Sequence, residues 1–287
     1  MLRGCQLFKL NMRHVQLTIE MPPPHEQAIL IVPHPFDDWK QSFQGYQLDG
    51  LKKTACIHAE NSQQKALLLK PLTDNGKIEF RYGKDDSSAP DWIWQTQSNR
   101  YTTASPELVQ SALDLTCKCR DQMACVEALI NHAAEMFGYG HPDERFNEGH
   151  ELVPTLCGTT KGSCVDINTW LIAASRSLGI EVQYLAGYWF GPDRFETPDM
   201  HCWLVFRINN KPVFWDLAHH LKWNVEPLAP GLNPAGGRRV LMSAGRGLQF
   251  ETPYGLVEIS HFSEPHWVLP GGSHHKSNLR IHLTRDY

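Results

Sequence analysis

Cys164, His201 and Asp216 are the residues whose types, order and surroundings best fit one piece of chemistry. Cys164 opens a helical segment in the stretch Gly162-Ser163-Cys164-Val165-Asp166. At that position, unsatisfied backbone N–H groups and the positive end of the helix dipole favour a thiolate over a thiol. The same N–H groups suit the oxyanion of a tetrahedral intermediate. Gly162, without a Cβ, lets the loop turn tightly and brings backbone close to whatever binds at the cysteine, so Gly162 and Ser163 are expected to border the substrate. His201 is cast to take the thiol proton and later protonate the leaving group, and Asp216 to fix its tautomer. Attack on an amide or ester carbonyl gives a thioester, which water or an amine can open. The three residues alone do not choose between them.

The elements around these residues decide whether they can meet. Asn209-Asn210 separates two strand-like segments, residues 201–208 and 213–217. A two-residue hairpin turn there sets Ile208 opposite Lys211 and Asp216 opposite Trp203. His201 shares a face with Trp203, which makes Asp216 its diagonal neighbour at roughly 7–8 Å between α-carbons. Trp203 and Trp215 flank the site and are candidates for the floor of a substrate groove, with core packing the competing role.

Upstream, Ser105-Pro106-Glu107 has the make-up of a helix start: a capping residue, a proline at the first helical position and an acid in the first turn. A second helix is predicted from Met123, Val126, Ile130, Ala133 and Phe137, stopping at Gly138. A polar loop from 138 to 161 carries His141, Glu144, His150 and Glu151. A helix over 167–178 and a strand over 182–190 follow the cysteine. The first hundred residues instead alternate short apolar runs with turn residues. Segments 15–20, 28–32, 65–69 and 77–82 read as strands, which predicts a β-rich domain over 1–100. The remaining chain divides into a catalytic domain over 101–270 and a polar tail over 271–287, whose patch Leu279-Arg280-Ile281-His282-Leu283 suits an edge strand.

Four ordered motifs now resemble a known family. They are Gly162-Ser163-Cys164-Val165-Asp166, then Arg176-Ser177-Leu178-Gly179-Ile180 leading to Gly187-Tyr188, then His201-Cys202-Trp203, then Phe214-Trp215-Asp216. Together they resemble the core of the transglutaminase-like superfamily, which has Cys, His and Asp in this order. The resemblance covers roughly 101–220 and implies an α+β fold: a papain-like transglutaminase core with its cysteine-bearing helix packed on an antiparallel sheet. It also implies a preceding β-sandwich-like domain, as in many bacterial members. The implied activity is acyl-enzyme chemistry on an amide of a peptide or protein, as a thiol peptidase or amidohydrolase. Transfer to an amine acceptor and an inactive scaffold are the alternatives. Family members often have Pro-Thr after the aspartate, where this chain has Leu217-Ala218. The family's upstream oxyanion donor has no evident counterpart in this sequence.

Competing sites are weaker. Asp166 suits a helix cap. Cys117-Lys118-Cys119 with Cys125, and the pairs His219-His220 and His274-His275, lack the spacing of a zinc set, so no metal and no cofactor is expected. Gly236-Gly237-Arg238-Arg239 and Gly245-Arg246-Gly247 read as loops rather than phosphate cradles. A net charge of -4 over 287 residues, without a basic stripe, predicts neither a nucleic acid nor a membrane partner. The N-terminus lacks an apolar run of export-signal length, so a cytoplasmic protein with free thiols is expected.

Overall fold

The computed structural model describes residues 13–19, 23, 25–83, 88–95 and 98–285. Cys5, and most of the stretch on which the cytoplasmic expectation rests, lie outside them.

The front of the molecule begins with β1 (Arg13–Ile19), β2 (Ile29–His34), β3 (Ser42–Asp49), β4 (Leu51–His58), β5 (Lys65–Pro71) and β6 (Gly76–Gly83). Next come α1 (Pro106–Thr116), α2 (Gln122–Met136), β7 (Phe137–Tyr139), β8 (Thr160–Gly162), α3 (Cys164–Ser177) and β9 (Val182–Phe190). The chain continues through β10 (Glu196–Thr197), β11 (Met200–Ile208), β12 (Lys211–Trp215) and α4 (Leu217–Trp223). It closes with β13 (Arg238–Ala244), β14 (Leu248–Thr252), β15 (Gly255–Ile259), β16 (His266–Val268), β17 (His274–Lys276) and β18 (Leu279–Arg285).

Two five-stranded sheets form the front sandwich, in the orders β10-β18-β1-β6-β3 and β17-β16-β2-β5-β4. Alternating residues of β1 and β6, such as Leu17, Ile78 and Phe80, meet Leu30, Val32 and Leu67 of the other sheet in one buried core. The alternation of Leu279, Ile281 and Leu283 has the same cause. Ile281 and Leu283 are buried, and β18 lies between β10 and β1. The last strands are therefore built into the sandwich rather than forming a separate tail. β18 is also an inner strand rather than an edge: it pairs with β1 from Leu279 to Arg285 and, on its other side, with β10 at Ile281 and His282.

The second layer is the four-stranded antiparallel sheet β12-β11-β9-β13. Helices α1, α2 and α3 cover one face of it, through Val126, Ile130, Ile167, Trp170, Leu204 and Phe206. Ser105 caps α1 by accepting from the Leu108 N–H at 3.2 Å, with Pro106 in the first turn. On the opposite face, Leu185, Trp203, Val205 and Leu241 pack with Ile93. The sheet also joins the front sandwich, since Tyr188, Phe190, Val240 and Met242 enter the same core as β1 and β6. The whole is an α+β fold with a β-rich front. Among the described residues no helix is long and apolar enough to cross a membrane.

Candidate active site

The hairpin between β11 and β12 sets the base and its acid. Asn209 and Asn210 take φ of 50° and 60°, the left-handed pair that a two-residue turn of this hand requires. Ile208 then faces Lys211 and Leu204 faces Trp215, the register expected from the sequence. Asp216, the next residue, places its carboxylate oxygens 3.1 Å from His201 Nε2. The other ring nitrogen, Nδ1, is left to exchange a proton with a thiol.

Cys164 begins α3. The helix is opened by a Ser163–Asp166 pair: the Asp166 carboxylate accepts the Ser163 N–H at 2.9 Å and its hydroxyl at 2.6 Å, and Arg145 donates to the same carboxylate at 3.0 Å. Asp166 is thus the cap its position suggests. Ser163 spends its hydroxyl on that cap and is not among the residues lining the cleft that holds Cys164. A Cβ on Gly162 would come within 2.7 Å of the Phe137 ring, so glycine is needed there for packing under the loop rather than for a ligand. Trp203 and Trp215 are buried on opposite faces of the sheet and fill core rather than groove.

Around Cys164 and His201 opens a cleft of about 450 Å³. Its walls include Tyr139, Trp189, Met200, His219, Lys222 and Trp223. A larger groove of about 850 Å³ lies behind Arg239, among Phe214, His220 and Pro227, and none of its lining residues is a cysteine or serine. The cleft that holds the reactive groups is therefore the smaller one.

Electrostatics poise the pair. The Cys202 thiol turned toward Cys164 does most to hold the Cys164 thiol well below the ordinary range; burial opposes this, and the His201 imidazole adds to it. For His201, burial alone would lower the pKa, but the charge and hydrogen bond of Asp216 raise it above the usual histidine value. Burial likewise works against ionised Asp216; Arg239 first, then His201, overcome it and keep the carboxylate far below its usual range. The balance favours a thiolate beside an imidazolium.

Three further residues belong to this arrangement; the sequence offers His219 and Arg239 only as weak metal and phosphate candidates, and Tyr139 not at all. Asp216 caps α4, accepting the His219 N–H at 3.2 Å, so a helix starts where the family often has Pro-Thr. That helix stacks His219 on His201, with ring centroids 3.9 Å apart and planes 18° from parallel. Burial, and next the His201 charge, push His219 down to about 2, which keeps it a neutral partner. Arg239 lies on β13, not in a loop, and donates from Nη2 to Asp216 while the same nitrogen stands 3.2 Å from His219 Nδ1. It faces the acid of the site. Tyr139 is aligned by the parallel pairing of β7 with β8, opposite Gly162 and two residues before Cys164. Burial, and then the negative charge on Cys164, hold its hydroxyl in the protonated, donating form.

His201, Asp216 and His219 also bring three potential ligand atoms within 4.8 Å of one another. The Arg239 guanidinium already occupies the cationic position against Asp216 and His219, so this cluster does not fit a metal ion.

Residues 110–217 match the model of the transglutaminase-like superfamily. The match spans 108 of the 287 residues, from within α1 to the first residue of α4. A candidate cysteine protease from Cytophaga hutchinsonii shares the fold at a TM-score of 0.58 and 14% identity, over 97% of this chain and 93% of that one. The periplasmic domain of TgpA from Pseudomonas aeruginosa aligns at a TM-score of 0.39 and 14% identity, over 76% of this chain and 93% of that one. No curated protein sequence matches the chain. A transglutaminase-like core with cysteine, histidine and aspartate assembled at one cleft is the frame of a cysteine-based enzyme.

Proposed function

We propose that this protein is a cysteine-triad hydrolase of amide bonds in peptides or proteins, with Cys164 as nucleophile, His201 as acid and base, and Asp216 as the residue that orients His201. The observation that carries the reading is the hydrogen bond of His201 Nε2 to Asp216 on the wall of a cleft into which Cys164 opens. The Cys164 thiolate attacks the amide carbonyl. The oxyanion is met by N–H groups at the start of α3 and by the Tyr139 hydroxyl, and His201 passes its proton to the departing amine. Water, deprotonated by His201, opens the thioester and returns the thiolate.

The test is the pH dependence of iodoacetamide labelling, mapped at each cysteine in the parent protein and in His201→Ala. Cys164 should react well below the free-thiol pKa of about 8.5, and should lose that advantage in the variant. If Cys164 reacts no faster than exposed Cys56 or Cys157 and the variant behaves identically, the reading fails. Incubating a peptide amide with an added primary amine then separates hydrolysis from transfer: release of free acid alone supports hydrolysis, and amine incorporated into product supports transfer.

A further inference from the structure

We propose that Cys164 is a site of reversible oxidation and that Cys202 captures the oxidised sulfur as an intrachain disulfide, with a hydroperoxide as the oxidant. The inference rests on Cys164 being the reactive thiolate, but not on its substrate.

Strand alternation produces the juxtaposition. On β11, His201 faces Asp216, Trp203 and His219, so the next residue, Cys202, points the other way, under α3. Asn168, one turn after Cys164, donates its side-chain amide to the Cys202 carbonyl at 3.1 Å and lies 3.4 Å from Cys202 Sγ. The amide therefore fixes strand and sulfur beside the first turn of the helix. The two thiols share one core and face each other, and both are free. A buried cysteine is ordinarily a small apolar filler. A filler has no need of an amide aimed at its sulfur, nor of a nucleophilic thiolate as its neighbour.

Access is divided between the two sulfurs. Cys164 lines the cleft, whereas Cys202 is fully buried. A small oxidant meets Cys164 first. The thiolate attacks the peroxide, forming an S–O bond and breaking O–O, and the alcohol or water departs with a proton. The Cys202 thiol then attacks the Cys164 sulfur; S–S forms, S–O breaks, and the hydroxide leaves as water with the Cys202 proton. Two thiols lose two electrons to one hydroperoxide, giving a disulfide, one alcohol and one water. The bond halts acyl chemistry and spares Cys164 from sulfinic acid, which is not readily reversed. An external dithiol regenerates both thiols by attack at the accessible Cys164 sulfur.

The test uses hydrogen peroxide on the full chain, followed by blocking of free thiols and peptide mapping without reductant. The expected product is a cross-linked pair of peptides containing Cys164 and Cys202, with the mass of two hydrogens lost, that dithiothreitol reverses. In Cys202→Ser and Cys202→Ala, Cys164 should instead be trapped by dimedone as sulfenic acid and advance to sulfinic acid, with the dithiothreitol-recoverable fraction falling toward zero. Progress of Cys164 to sulfinic acid in the parent, with Cys202 still alkylatable after denaturation, overturns the proposal while leaving the thiolate reading intact. A link confined to Cys119 and Cys125 overturns it as well. If Cys164 oxidises no faster than Cys56, both readings fall together.

Discussion

Replacing Arg239 by glutamine removes the guanidinium that caps Asp216 and leaves a carboxylate with no solvent exposure beside a histidine. Arg239 is itself 8% exposed, so this is a buried ion pair. Removing one partner of such a pair costs about 3–5 kcal/mol, because what remains around the other charge, here His201 and the His219 N–H, compensates only part of it. At roughly 2–4 °C per kcal/mol for a chain of this size class, melting should fall by roughly 6–20 °C. Asp216→Asn combined with Arg239→Gln leaves no orphaned charge and should recover most of that loss, a coupling a double-mutant cycle reads directly. Scanning fluorimetry on the four proteins supplies the stability numbers. A second readout separates positioning from simple packing. The Arg239 charge works against protonation of His201, so in Arg239→Gln His201 keeps its proton to higher pH. The alkaline limb of the kcat/KM profile, or of Cys164 labelling, should therefore move up in pH in the variant. A melting drop under about 2 °C would place the pair well below the buried-pair cost and refute the stability argument. An alkaline limb that stays in place would show that the Arg239 charge does not bear on His201.

Tyr139→Phe should lower kcat by about 10²–10³ with little change in KM or melting if the hydroxyl serves the oxyanion, and an unchanged kcat would remove it from the mechanism. Trp223, 49% exposed on the cleft wall, should act on binding, so Trp223→Ala should raise KM for a peptide amide while leaving kcat near parent. Acid should weaken the fold below about pH 6.5. His219 is pushed to about 2 and His266 to about 3, each chiefly by burial, and His261 is also held well below its usual value. The native state keeps them neutral while the unfolded chain protonates, so each removes about 1.4 kcal/mol of stability per pH unit below 6.5, roughly 4 kcal/mol for the three. His201, with its pKa raised, contributes with the opposite sign: its stabilisation is present below 6.5 and lost as pH rises through its folded value. Urea melts from pH 7.5 to 5 check this, and a constant midpoint would contradict it.

The legible parts of the site are those whose signals are local. Asn209-Asn210 fixes a turn type, the turn fixes a register, and the register brings Asp216 to His201. Ser105-Pro106 and the Ser163–Asp166 cap likewise read directly, because capping needs residues close in sequence. His219 was in plain sight as half of a His-His pair, but its role depends on α4 starting at Leu217, and the strand was expected to run through that residue. An acid at a helix start with histidine three residues on is the signal that would have found it. Arg239 carried no local mark: its partner is 23 residues away and they meet through β9, which separates β13 from β11. Strands β3 and β4 escaped for another reason. Their outward faces are polar and half-exposed, so the apolar runs that revealed β2 and β5 are missing.

The front sandwich has a part in this chemistry although no residue of its first six strands lines the cleft. β13 must hold Arg239 against Asp216, and it is the edge strand of the β12-β11-β9-β13 sheet. An edge strand is weakly held by one ladder alone. Here Val240 and Met242 of β13 are buried in the sandwich core, Gln41 donates to the Leu241 carbonyl at 3.2 Å, and Gln64 accepts the Ala244 N–H at 2.9 Å. Those contacts fix the strand on the side where the sheet offers no neighbour. Gly187 completes the arrangement, because a Cβ there would lie 1.9 Å from the Val240 carbonyl oxygen and would push β13 away from β9. The position of the buried arginine, and through it the charge state of Asp216 and His201, is thus set jointly by the transglutaminase-like core and by the sandwich behind it.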